Sequence, residues 1–201
     1  MLILALNGSP RPDGGTAQLL SAALDEAASM GASTVLLQAV EGLQELKFPY
    51  CIHCSSPCRG MCYQGTKLEE MFELLGRSDG LIIGSPVYFG TVSAPLKAFW
   101  DKTRRLRKEK ALINVVGGGV VSGGSRFGGQ EPTLQVLVAM MLSHGMTVVG
   151  DGHSDGDPGH LGACIQYRNN GEGLIQARFL AKRVVEVARA TQVLRRRPVG
   201  R

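Results

Sequence analysis

Leu2-Ile3-Leu4-Ala5-Leu6-Asn7-Gly8-Ser9-Pro10-Arg11-Pro12-Asp13-Gly14-Gly15-Thr16 is the stretch that decides the architecture. A short apolar run, a loop of Gly, Ser and Pro, and an amphipathic segment from Thr16 to about residue 30 read as strand, turn and helix. Leu20, Ala23, Leu24, Ala27 and Ala28 fall on one face of that helix. The loop also has the make-up of an anion cradle. Backbone N–H groups and the helix dipole point at one place, Ser and Thr hydroxyls can donate there, and Arg11 adds charge. It is neither G-x-G-x-x-G nor a Walker motif, which counts against a Rossmann dinucleotide site and a P-loop NTPase. An ordinary turn with Thr16 as helix cap accounts for the same residues equally well.

The same alternation continues along the chain. Further apolar runs lie at 33–40, 80–87, 111–117 and 146–150, nearly continuous in Val, Leu and Ile, as in parallel strands covered on both faces. Between them are helical patterns: Leu68, Met71, Phe72 and Leu75; Leu96, Phe99 and Trp100; Leu134, Leu137, Val138, Met141 and Leu142, closed by Gly145; and Ala177, Leu180, Ala181, Val184, Val185 and Ala188. Five strands alternating with five helices predict a doubly wound α/β fold with a parallel sheet of order 2-1-3-4-5. No internal repeat or second domain is visible, so residues 1–201 are expected to form one domain. Residues 41–65 and 151–171 are too long for plain connections, and loops of that length usually carry function.

The composition narrows the function. With 201 residues, 44% hydrophobic and 19% charged, the chain has material for a sizeable core. Residues 2–6 are too short for a signal-peptide core and no run could span a bilayer, so a cytoplasmic protein with reduced thiols and no membrane partner is expected. The net charge of +5 comes largely from Arg104, Arg105, Arg107, Lys108 and Lys110, and from Arg195, Arg196 and Arg197. Such runs read as solvated ends, and with little aromatic interleaving no nucleic-acid partner is expected.

Two more loops follow strands. Gly84-Ser85-Pro86-Val87-Tyr88-Phe89-Gly90-Thr91-Val92-Ser93 sets aromatic rings beside a glycine at a strand's carboxyl end, which suits a planar heterocycle. Val116-Gly117-Gly118-Gly119, Gly123-Gly124 and Gly128-Gly129-Gln130-Glu131 are read as a loop where backbone can approach a ligand closely. Strands 1, 3 and 4 end around the switch point of a 2-1-3-4-5 sheet, so these loops converge.

With these residues in view, the chain resembles the NADPH-dependent FMN reductases of flavodoxin-like fold, and among them the iron–sulfur flavoproteins. The likeness rests on Gly8-Ser9-Pro10-Arg11 with Gly14 and Thr16, on Asp79 to Ser93, and on Gly128-Gly129-Gln130-Glu131 followed by Gly145-Met146. It covers roughly residues 1–150 and implies a three-layer sandwich. It implies that Ser9, Arg11, Thr16 and Ala17 hold an FMN phosphate. Pro86, Val87, Tyr88, Phe89 and Gly90 would lie along the isoalloxazine, with the Gly90 N–H near N5 and Tyr88 as polar assistant. Gly117, Gly118 and Gly119 would approach the pyrimidine end. The resemblance further implies NAD(P)H as reductant, a quinone, flavin or other electron acceptor, and a homodimer or homotetramer. The alternative is a non-catalytic electron carrier that docks onto redox partners. Such carriers are expected to be strongly acidic and this chain is basic, which favours the enzyme.

Cys51, Cys54, Cys58 and Cys62 form a run spaced C-x2-C-x3-C-x3-C, where the family more usually has C-x2-C-x2-C and a longer gap. Three readings are open: a [4Fe–4S] cluster on four thiolates, a zinc site, or free thiols. The run follows strand 2, so it is expected on the flavin edge of the sheet. Cys164 reads as a buried small side chain, His144 as structural at a helix end, and His153, Asp155, Asp157 and His160 as a solvated loop.

Overall fold

The computed structural model describes residues 1–166 and 171–195. Its sheet contains β1 (Leu2–Asn7), β2 (Ser33–Gln38), β3 (Gly80–Pro86), β4 (Val116–Gly123), β5 (Thr147–Val148) and β6 (Gly162–Gln166). All pairings are parallel, in the expected order β2-β1-β3-β4-β5, and β6 also pairs with β4. The helices are α1 (Gly15–Ser29), α2 (Ala39–Gln44), α3 (Lys67–Arg77), α4 (Ala94–Asp101), α5 (Arg104–Glu109), α6 (Gln130–Leu142) and α7 (Gly171–Ala190).

Alternation along the strands builds two cores. Ile3, Ala5, Ile82, Val116 and Val120 face α1 and α7, where Leu19, Leu20, Ala23, Ala27, Leu180 and Val184 meet them. Leu4, Leu6, Leu81, Ile83 and Val121 face the opposite layer, into which Leu68, Phe72, Leu96, Phe99, Leu134 and Leu137 pack. The apolar faces expected of α3, α4 and α7 are all buried. On α1 the face is turned slightly: Ala28 is exposed and Leu19 is buried. That helix ends with Gly31 at φ +82°, a left-handed stop that glycine adopts without steric cost.

Several expectations are corrected. The strand expected at 111–117 is β4, Val116–Gly123, and Gly117, Gly118, Gly119 and Gly123, read as loop, lie inside it, while Gly124, Gly128 and Gly129 do lie in the loop before α6. The strand expected at 146–150 shrinks to Thr147–Val148, and its place beside β4 is taken further along by β6, within a segment read as loop. Residues 149–161 therefore leave the fifth strand position and return to it. The end of the strand expected at 33–40, with part of the loop after it, is the short helix α2, and the basic run at 104–109 is α5. Of the tail arginines, Arg195 is not solvated. Its side chain is 5% exposed and its Nε donates to Asp79 Oδ1 at 3.2 Å. Arg196 and Arg197 lie outside the described residues. Among the described residues no helix is long and apolar enough to cross a membrane.

Candidate functional site

The loop after β1 is shaped by Asn7, which is fully buried. Its Oδ1 accepts from Ser9 N at 2.9 Å, and Ser9 Oγ accepts from Arg11 N at 3.1 Å. These two local bonds curl the chain just before α1, as Asx- and Ser-turns do. Helix α1 then opens at Gly15 with Gly14 as N-cap, no side-chain cap bond and no acidic residue in its first turn. The positive pole of a 15-residue helix is thus left for an outside anion. A Cβ on Gly15 would stand 2.5 Å from Ser122 Oγ, so glycine there lets the helix start press against β4. Thr16 turns its methyl towards Gly84, while the Arg11 side chain lies over Gly14. Ser9, Thr16 and Ala17 are buried around this point and Arg11 is exposed.

The loop after β3 is locked to the first. Gly8 N donates to Gly84 O at 2.8 Å, and Ser93 Oγ donates to Gly8 O while accepting from Leu96 N as the cap of α4. Ser85 Oγ accepts from Ser93 N at 3.0 Å. Beyond this network, Tyr88 and Thr91 exchange backbone hydrogen bonds of 3.0 and 3.2 Å across Phe89 and Gly90, at φ +52° and +76°. Two consecutive positive φ values make a type I′ turn. Phe89 has no cover at all (106% exposed) and Tyr88 is 42% exposed. A bulky residue held in the left-handed region and fully solvated marks a place arranged for contact. The start of α6 reaches the same turn: a Cβ on Gly129 would be 3.0 Å from Gly90 Cα.

Gly117, Gly118 and Gly119 are elsewhere. They are buried in mid-strand, where a Cβ would meet Met141 Sδ at 2.5 Å, Leu180 Cδ1 at 2.8 Å and Leu134 Cδ2 at 3.2 Å. Their small size admits α6 and α7 onto the two faces of β4. The carboxyl end of that strand, beside the two loops, is formed by Ser122 and Gly123, and Ser122 O accepts from Val87 N at 2.9 Å.

The cysteine loop is held by Tyr63, which is 2% exposed and packs edge-on against Phe72 with centroids 4.9 Å apart. Cys51, Cys54, Cys58 and Cys62 line one cavity of about 160 Å³ together with Phe48, Ile52, Lys102 and Arg104. None is in a disulfide. The thiols suit a metal or a metal–sulfur group in number and kind, but among the described residues no three acidic, His or Cys side chains are gathered closely enough to hold an ion. Burial pushes the Cys62 thiol up, and Lys102, whose Nζ is 4.0 Å from the sulfur, opposes this. The location corrects an expectation. Helix α4 starts at Ser93, in the network between the first two loops, and Lys102 follows its far end. Nine residues of helical rise put about 13 Å between them. The cavity thus lies at the opposite end of α4 from the loops.

The structure brings Ser9, Arg11, Thr16, Ala17 and the 86–90 segment to one edge of the sheet. It leaves Gly117–Gly119 and the cysteines outside that edge. Asn7, Ser85, Ser93 and Ser122, which sequence reasoning passed over, hold the edge together. Only Asn7 announced itself, as an Asn between a strand and Gly-Ser-Pro, where an Asx-turn is expected. Of the histidines, His144 is buried at the end of α6. His153 is clipped to α7, stacked on Phe179 at 5.7 Å and 3.2 Å from Glu186. Cys164 is half-buried, with burial pushing its thiol up to about 12.

Comparison with known proteins agrees with this geometry. The family model described as NADPH-dependent FMN reductase matches residues 1–156. An iron–sulfur flavoprotein of Methanocaldococcus jannaschii is 39% identical over 194 residues, covering 94% of this chain and 98% of that one. An NAD(P)H dehydrogenase (quinone) of Chromohalobacter salexigens is 40% identical over 77 residues, 38% of each chain. Among solved structures, a flavodoxin, WrbA-like protein from Agrobacterium tumefaciens superposes with a TM-score of 0.66 at 22% identity, covering 94% of this chain and 97% of that one. The open helix terminus, the I′ turn and the sheet order thus have one explanation: the chain belongs to the NADPH-dependent FMN reductase family, in its iron–sulfur flavoprotein branch.

Proposed function

We propose that the protein is a cytoplasmic FMN-dependent oxidoreductase, a homodimer or homotetramer, that takes hydride from NAD(P)H and passes electrons to a quinone, a flavin or another acceptor. The observation that carries this reading is the open amino terminus of α1 set beside the Phe89–Gly90 turn. The N–H groups of Thr16 and Ala17 bind the phosphate at the helix pole, with Ser9 and Arg11 adding a hydroxyl and a charge. Pro86, Val87, Tyr88 and Phe89 would lie along the ring system, and the Gly90 N–H would donate to it near the reactive nitrogen. Ser122 and Gly123 take the pyrimidine end in place of Gly117–Gly119. FMN, when bound, supplies the two-electron uptake of hydride and its release singly or in pairs. No proton-shuttling side chain is required, and Tyr88 is the polar side chain of the 86–90 segment that can assist. Cys51, Cys54, Cys58 and Cys62 would hold a [4Fe–4S] cluster that supplies one-electron transfer, with Lys102, 4.0 Å from the Cys62 sulfur, adding a positive charge beside it. With the cavity at the far end of α4, exchange between cluster and flavin is best served by a second copy of the chain.

Absorbance of protein purified without oxygen tests the reading. Flavin bands that bleach on addition of NADPH support it. A colourless protein that fails to take up FMN overturns it. A brown shoulder that survives flavin extraction, with iron and acid-labile sulfide, supports the cluster, and its absence assigns the thiols another role.

A further inference from the structure

Away from the edge that holds the 86–90 turn, and next to the thiol-lined cavity, a cavity of about 450 Å³ opens between α5, the end of α6 and the cysteine loop. Arg104, Arg107, Lys108, Lys110 and His144 line it, and no carboxylate does so among the described residues. The acids nearest in sequence are engaged elsewhere: Glu109 with Arg105 at 2.9 Å, and Asp101 with Lys97 at 2.6 Å. Arg107 Nε donates to Ser143 O at 2.9 Å, which fixes its guanidinium at the rim. His144 belongs to the lining but is 7% exposed, and its Nδ1, which has no hydrogen-bond partner, is closed off from solvent. Thr103 Oγ1 donates its hydrogen to Trp100 O at 2.6 Å, so it accepts from His144 Nε2 at 2.9 Å. The hydrogen therefore sits on Nε2, and Nδ1 is a bare acceptor. Four lining cations with no facing acid match one ligand chemistry, that of phosphate groups.

We propose that this cavity binds a small phosphorylated molecule of nucleotide size, in a site separate from the phosphate loop. The volume falls within the range of small-molecule sites. Cys58 and Arg104 belong both to this cavity and to the thiol-lined one, so the occupant would lie against the cysteine loop.

Calorimetric titration of the full chain, loaded with one equivalent of FMN for the loop after β1 and freed of excess flavin, tests this with pyrophosphate and with ADP. Saturable one-to-one binding is expected, weaker in added salt and about tenfold weaker in the Lys108→Gln/Lys110→Gln double variant. Lys182→Gln, on α7, should leave it unchanged. Tighter binding of ADP than of pyrophosphate assigns the cavity to a nucleotide, and the reverse order to an inorganic polyanion. Heats that never saturate, or binding untouched by the double variant, overturn the proposal. Failure of FMN itself to bind would count against the flavin reading, while the α5 variants still decide this one.

Discussion

His144 shows how a single buried group ties stability to pH. Burial, with a smaller contribution from Arg107, pushes its pKa down from 6.5 to about 4. Below pH 6.5 the unfolded chain takes up a proton that the folded one refuses, so stability is full above that value and falls as pH drops towards 4. A displacement of this size corresponds to about 3 kcal/mol. His144→Gln keeps a donor for Thr103 and cannot titrate, so its urea midpoint should fall less between pH 7 and 4.5 than that of the parent. Equal falls would remove His144 as the cause. Gly90 gives a second test at this scale. Nothing stands within 4 Å of a Cβ there, so Gly90→Val costs only the strain of φ +76°, about 1–2 kcal/mol. The branched side chain would nevertheless block the approach of a flat ring. FMN uptake should be lost with the fold intact, and undiminished flavin occupancy would contradict the placement.

At the scale of elements, β4 is where pattern reading met its limit. Leu4, Leu81 and Ile83 are strand-like because apolar branched residues fill the space between sheet and helices. At Gly117–Gly119 the helices come so close that no side chain fits, and the same physical need is met by three glycines. By composition those residues belong to a loop. Only the positions of Met141, Leu180 and Leu134, distant in sequence, show otherwise. The fifth strand was half legible for a related reason: two residues pair before the chain leaves, and β6 returns after a segment with no apolar run of its own. The helices α3, α4 and α7 were fully legible, because an amphipathic face needs no long-range information. The loop after β1 and the 86–90 turn were legible as motifs. The serines that join them were not, since Ser85, Ser93 and Ser122 act through partners set by tertiary contact. Gly118→Val tests the packing account: it should drive into Leu180 and cost about 1–3 kcal/mol in urea unfolding. A neutral result would mean that α7 is not pressed onto β4.

For the molecule as a whole, the amino ends of the strands are drawn together by a charge pair far from the flavin edge. Asp79 precedes β3, its N–H donates to Leu2 O at 2.8 Å, and its Oδ2 accepts from Leu2 N at 2.8 Å. Its carbonyl accepts from Val116 N at 3.2 Å, so one residue bridges β1, β3 and β4. Arg195 reaches back from beyond α7 to the same carboxylate, with Thr191 Oγ1 at 3.1 Å from its Nη1 and Ala188 O accepting from its Nη2. Asn114 Nδ2 holds the intervening chain by donating to Leu194 O at 2.9 Å. The side chains of both ionic partners are about one-twentieth exposed, so this pair differs from a surface salt bridge. Removing the arginine alone withdraws the cation from a desolvated carboxylate, which costs about 3–5 kcal/mol, whereas exchanging both partners for neutral groups costs less. Arg195→Met should therefore lower stability by several kcal/mol in urea unfolding, and Arg195→Met/Asp79→Asn should recover part of it. FMN affinity should stay unchanged in both, because the clasp closes one end of the sheet and the loop after β1, proposed to take the phosphate, lies at the other. If flavin affinity falls in step with stability, the two ends are not independent, and the division of the molecule into a structural end and a binding end is wrong.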